Sequence, residues 1–296
     1  IDLTGKADYR SVPAGVPAEL RTAAAFEIVP EPVLKSDSTI VNIHLQGYRP
    51  EMGATASYYV NSIDGQTSAD DAVTIDPEGN ATVRLMLYGP ARFVFMGQEQ
   101  AFGFGVTLAP GEDVDVYADT RYRAQVRNVP EGETFKPYDY IWSNGHYAEA
   151  DRQRNLNRFE TLFQLYNGEF GSLDMDGQAL TDYLIGTFRA AKDSVMAGDF
   201  TDAQRDLFIT DYELQLLNAI VDAPRALVLN YYNNSGAPWN SLIPEGTIKY
   251  KPEPADFARI AAEVRDIDNP AFLQPTGFIM ARDLASPMWA EAIGKD

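Results

Sequence analysis

Near residue 125 the apolar residues of this chain change their spacing, from every second position to one turn of a helix. Before that point Val41, Ile43 and Leu45 alternate with polar neighbours. So do the runs Ala54–Val60, Val83/Leu85/Leu87, Phe93/Phe95, Phe102/Phe104/Val106/Leu108 and Val114/Val116. Successive side chains of a strand point to opposite faces, so this period belongs to strands with one buried face. Turn formers separate the runs: Gly47, Asp64-Gly65, Asp76-Pro77-Glu78-Gly79-Asn80, Gly89-Pro90 and Pro110-Gly111. Short strands about 8–12 residues apart with turns between them predict an antiparallel β-sandwich over residues 22–125. Residues 22–34 are expected to add an edge strand, and residues 1–21 an N-terminal extension. Gly103-Phe104-Gly105, inside an apolar run, predicts a bulge.

From Tyr147 the helical period takes over. Leu156, Phe159, Phe163 and Tyr166 form one apolar face, and Leu180, Leu184, Phe188, Ala191 and Val195 another. Thr201-Asp202-Ala203-Gln204 reads as a capping box opening a helix that runs to about Asp222. Pro224 is expected to start a new helix through Leu227 and Tyr231, and Trp239–Lys251 to be irregular. Phe257/Ile260/Ala261/Val264 and Phe278/Leu284/Met288/Trp289 predict two more helical segments. Residues 126–146, with Pro130, Gly132 and Pro137, read as a connector, and residues 147–296 as a mainly α-helical domain. Strands first and helices afterwards make an α+β fold, not a parallel α/β sheet.

Composition narrows the function. The chain has no cysteine and two histidines, and 24 basic against 43 acidic residues give a net charge of −19. A disulfide framework, a cysteine-ligated metal, a cysteine nucleophile and a thiol redox centre all need a sulfur it lacks. Nucleic-acid binding needs a basic surface, so none is expected. No apolar run reaches the ~18 residues of a transmembrane helix. The chain opens at Ile1 rather than Met, as after removal of an export signal or where a fragment of a longer chain begins.

Tyr138-Asp139-Tyr140-Ile141-Trp142, with His146 and Tyr147 nearby, is the main candidate site. Flat aromatic faces stack on sugars or anchor a partner, and Asp139 could orient a hydroxyl. In an extended chain Tyr138, Tyr140 and Trp142 share one side. The plainer expectation is a hinge cluster packing sandwich onto helices. Tyr231-Tyr232-Asn233-Asn234 with Trp239-Asn240 is a second aromatic–amide group. Asp174-Met175-Asp176-Gly177 looks like the start of a calcium loop, but position 185, where the loop's Glu would stand, is Ile. A helix entry is the expected role, so no metal site is assigned. Neither His44 nor His146 has the neighbours of a triad or metal motif. No catalytic residue and no cofactor are implied.

The chain resembles the N-terminal, non-thioredoxin region of the TlpA-like thiol-disulfide oxidoreductases of Gram-negative envelopes. The resemblance lies in Asp76-Pro77-Glu78-Gly79-Asn80 with Val83, Leu85 and Leu87, and in Gly89-Pro90. It continues through Leu108-Ala109-Pro110-Gly111-Glu112-Asp113-Val114-Asp115-Val116 to Asp119. Asn144-Gly145-His146-Tyr147-Ala148 resembles the entry to that family's helical region. The resemblance implies a sandwich followed by helices in the periplasm or outer envelope. It also implies a thioredoxin domain or a client protein as partner. The family's activity resides in a Cys-x-x-Cys pair absent here, so a non-catalytic accessory role is expected. A stand-alone glycan- or peptide-binding module is the alternative, and a hydrolase using a carboxylate pair comes third.

Overall fold

The computed structural model describes residues 12–22, 25–62, 65–127, 138–157, 161–167, 172–265, 269–275, 286–292 and 294. The chain forms two compact units, Ile1–Phe159 and Glu160–Asp296, and has an α+β fold.

The first unit is a sandwich of two four-stranded sheets. One has the order β4 (Asn80–Leu87), β1 (Asp37–Gln46), β7 (Asp113–Asp119), β8 (Ile141–Ser143). The other has the order β3 (Gly65–Thr74), β2 (Thr55–Ser62), β5 (Ala91–Gly97), β6 (Gly103–Leu108). Alternate residues of both meet in one core: Val41, Ile43, Val83, Val114 and Val116 from the first, Val60, Phe93, Phe95, Phe104 and Val106 from the second. Phe93 and Phe95 are fully buried. Each such side chain contributes roughly 1.5–3 kcal/mol of apolar burial. The chain changes sheets at the Gly89-Pro90 and Pro110-Gly111 turns, so the breakers separate sheets as well as strands. At Asp76–Asn80 the Asp76 carboxylate accepts from the Asn80 N–H at 2.7 Å, and Gly79 takes φ +87°. A side chain at Gly79 would be strained and would also meet Tyr48 Cβ at 2.8 Å.

Several expectations are corrected. The sheets are not wholly antiparallel, because β1 and β7 pair in parallel, Val41 opposite Val114. The described residues between 25 and 34 form no strand. The β5–β6 register is continuous through Gly103–Gly105, so the expected bulge is absent there; the irregularity lies in β2 between Ala56 and Tyr58. Gly105 has another reason to be small, since a Cβ there would meet the Arg92 guanidinium at 3.0 Å.

The division between units falls after Phe159, where the apolar pattern divides at 146. Residues 138–157 belong to the sandwich unit: β8 extends the first sheet, and helix α3 (Ala148–Leu156) lies against β6. The short helices α1 (Ala18–Arg21) and α2 (Tyr122–Arg127) belong to this unit too. The helix expected to include Phe163 and Tyr166 ends at Leu156, and residues 161–167 are non-helical. Residues 128–137 of the expected connector, Phe159, Phe278 and Leu284 lie outside the described residues.

The second unit is helical: α4 (Gly177–Ala197), α5 (Asp202–Ser235), α6 (Pro254–Ala261) and α7 (Pro287–Ala292). Leu180, Leu184 and Phe188 of α4 pack with Leu214, Leu217, Ile220 and Leu227 of α5, Phe257 and Ile260 of α6, and Trp289 of α7. The capping box at Thr201 is present, with Thr201 Oγ1 accepting from Gln204 N and Gln204 Oε1 from Thr201 N. Pro224 does not start a helix; it lies inside α5. Proline forfeits one backbone bond, but its fixed φ is helical. Ala223, Ala226 and Leu227 are all buried, so packing on both sides carries the helix across. Among the described residues no helix is long and apolar enough to cross a membrane.

Candidate functional site

The residues predicted to form a site do not converge on one open face. Tyr138 and Tyr140 bracket Tyr122. Tyr138 meets its ring edge-on at 5.0 Å, and Tyr140 stacks on it at 3.6 Å and 10°. The Tyr138 hydroxyl donates to Gln125 Oε1 at 2.6 Å. Asp139 accepts a two-pronged pair from Arg152, with Nε at 3.0 Å and Nη2 also donating. Trp142 is the middle residue of β8, opposite Tyr117 and only 4% exposed. Its neighbour Ile141 packs on the sandwich core, so Trp142 takes the opposite face of the sheet. The His146 N–H donates to Glu112 Oε1 at 2.7 Å, and its Nε2 lies 3.2 Å from the Glu31 carbonyl. The five residues therefore build and brace the sandwich unit.

Burial pushes the Tyr140 phenol up to about 12; Tyr122 and Asp151 act in the same direction and Arg92 against it. Its value in the fold exceeds the ordinary 10, so folding favours the neutral phenol. That contribution is fully present below pH 10 and is lost as pH rises through about 12. Denaturant titrations between pH 9 and 12 should show a steeper loss of stability for the parent than for Tyr140→Phe. Parallel pH profiles would refute this.

One important group escapes sequence reading. Asp151 of α3 is buried and accepts from Thr107 N at 2.5 Å, Thr107 Oγ1 at 2.8 Å and Arg92 Nη1 at 2.8 Å. Strand β6 is the outer strand of its sheet, so this carboxylate satisfies a backbone donor facing away from the ladder. No motif marks Asp151. Its role exists only once α3 docks on a strand 44 residues earlier.

In the helical unit several acidic groups are likewise occupied. Glu213, fully buried, accepts from Arg265 Nε at 2.8 Å and Arg265 N at 3.1 Å. Asp256 caps α6 and accepts from Thr181 Oγ1 at 3.3 Å. Asp174 pairs with Lys249 at 3.1 Å, and Asp176 is the N-cap of α4, accepting from Ala179 N at 2.9 Å. The two carboxylates thus do separate work. Asp176→Ala should destabilise the unit by about 1 kcal/mol, as loss of an N-cap does. Calorimetric titration of the parent with calcium should show no event stronger than about millimolar. A micromolar event abolished by Asp176→Ala would overturn the helix-entry role. Between α4 and α6 lies a groove of about 400 Å³ floored by Ile185, Gly186 and Ala262. The arginines at its rim are already paired, Arg189 with Glu263 and Arg259 with Asp182.

The second aromatic group is arranged differently. At the end of α5 Tyr231 meets Tyr232 edge-on at 5.4 Å, and Tyr232 stacks on Trp239 at 5.2 Å and 28°. The Tyr232 hydroxyl donates to the Ser241 carbonyl, which ties the following segment back to the helix. Gly236 ends α5 at φ +70°, and Asn240 turns the chain again at φ +67°. Trp239 is 59% exposed, whereas Trp142 and Trp289 are buried, and Leu242 is 97% exposed.

No protein-family model, no curated protein and no solved structure matches the chain.

Proposed function

We propose that this chain is a non-catalytic accessory region of an exported thiol-disulfide oxidoreductase of the TlpA-like kind. It binds or positions a thioredoxin domain or a client protein in the periplasm or outer envelope of a Gram-negative bacterium. The observation that supports this reading is the order of the units: a β-sandwich, then helices, each with its own core, in a chain without cysteine. The turns on which the resemblance rests belong to the sandwich itself. Glu112, for example, accepts from Ala109 N and from His146 N, joining the Pro110-Gly111 turn to the segment that follows β8.

Thiol-disulfide exchange requires a thiolate, so the chain alone should leave insulin reduction by dithiothreitol at the rate of the protein-free control. Added in trans to a purified thioredoxin domain bearing a Cys-x-x-Cys pair, it should lower KM for a protein client and leave kcat unchanged. That split is the signature of binding without chemistry. Identical kinetics with and without the chain would reject the positioning role.

A further inference from the structure

We propose that the segment from the end of α5 to Leu242 is a binding site for a neutral glycan, with the open face of Trp239 as its platform. This goes beyond the accessory role and does not depend on it. From Ala226 to Pro244 the sequence contains no charged side chain, although 23% of the whole chain is charged. A ligand seated on this segment strips water from no carboxylate or ammonium group of the segment itself, the costliest step in burying a polar surface. The exposed aromatic is held in place, since its ring rests on Tyr232 and the Tyr232 hydroxyl fixes Ser241. A platform ordered in advance loses little entropy when a ligand arrives.

The polar groups beside it have the right character. Asn233 directly follows Tyr232 and Asn240 directly follows Trp239 in the sequence, both are exposed, and neither side chain has a hydrogen-bond partner among the described residues. A carboxamide donates and accepts at adjacent atoms, as does a pair of neighbouring sugar hydroxyls. A pyranose presents an apolar C–H face to stack on an indole and a rim of hydroxyls for the amides. The net charge of −19 opposes anionic polymers, which favours uncharged sugars.

Trp239 also supplies the measurement, because the other two tryptophans are buried. The full chain is titrated with neutral hexasaccharides: cello-, xylo-, chito-, laminari- and maltohexaose, with an oligogalacturonate as the anionic control. At least one neutral sugar should give a saturable change in tryptophan emission with Kd of about 1 mM or below, and should protect the fluorescence from acrylamide. The oligogalacturonate should not. By calorimetry Trp239→Ala should weaken the same sugar at least about tenfold. Asn240→Gly, which removes the carboxamide, keeps the tryptophan and tolerates the positive φ at this position, should weaken it several-fold, with circular dichroism confirming that both variants fold. The proposal is overturned if none of the sugars binds at about 10 mM, or if binding is indifferent to Trp239→Ala. It is also overturned if the thioredoxin domain alone shields Trp239, which would make this surface a protein contact built on Trp239 and Leu242.

Discussion

Asp151→Ala should cost the sandwich unit about 3 kcal/mol, the lower end of what breaking a buried ion pair costs. Three donors lose their acceptor together: the Thr107 N–H, the Thr107 hydroxyl and Arg92. The Arg92 side chain is 32% exposed, so water recovers part of its share and keeps the figure from the top of the range. The Thr107 N–H belongs to an outer strand, and its bond to Asp151 joins β6 to α3. Two controls separate the contributions. Thr107→Val removes only the hydroxyl and should cost about 1 kcal/mol. Asp151→Asn keeps the shape but replaces one acceptor with a donor facing donors, so it should approach the alanine value. Losing this anchor should also uncover the free edge of β6, and light scattering should report more self-association. An Asp151→Ala protein as stable as the parent would show that α3 is held by something else.

The strands were legible wherever one face is wet and the other dry. In β1 and β5 the alternation of apolar residues is the burial pattern itself. Their pairing was not legible, because the parallel β1–β7 contact joins segments about 70 residues apart and leaves no local mark. Helix α4 was legible from its apolar spacing and α5 from the Thr201 capping box. The continuity of α5 was not, since Pro224 is a local signal that tertiary burial overrides. The unit boundary was misplaced for a related reason. Helix α3 is anchored through a buried carboxylate, and Ala150 and Asp151 are its buried residues, so its role in the sandwich has no apolar stripe to announce it. As for sites, the sequence favours the Tyr138–Trp142 group over the Tyr231–Asn240 group. The fold reverses that order, by burying Trp142 and leaving Trp239 open.

Trp142→Ala tests that distinction and should cost about 3–5 kcal/mol, the range for removing a large aromatic from a buried position. The indole is 4% exposed at the centre of a three-residue outer strand, and it is the anchor on the face opposite Ile141, which packs on the core. Its backbone ladder involves only Val116, Tyr117 and Ala118 of β7. Helix α1 lies against β8, and the segment before it is braced by Arg21, which donates to the Val16 and Ala14 carbonyls at 2.7 Å each. Removing the ring should therefore loosen β8 and α1 together. At about 2–4 °C per kcal/mol for a unit of this size, the transition of the sandwich should fall by roughly 6–20 °C. The helical unit has its own core and should melt as before. Trp239→Ala is the matched control: the same substitution at a 59% exposed ring should move stability by no more than about 0.5 kcal/mol. An unchanged sandwich transition in Trp142→Ala would mean that the ring is not a packing element. Trp142 would then have to be weighed with Trp239 as a surface available to ligands.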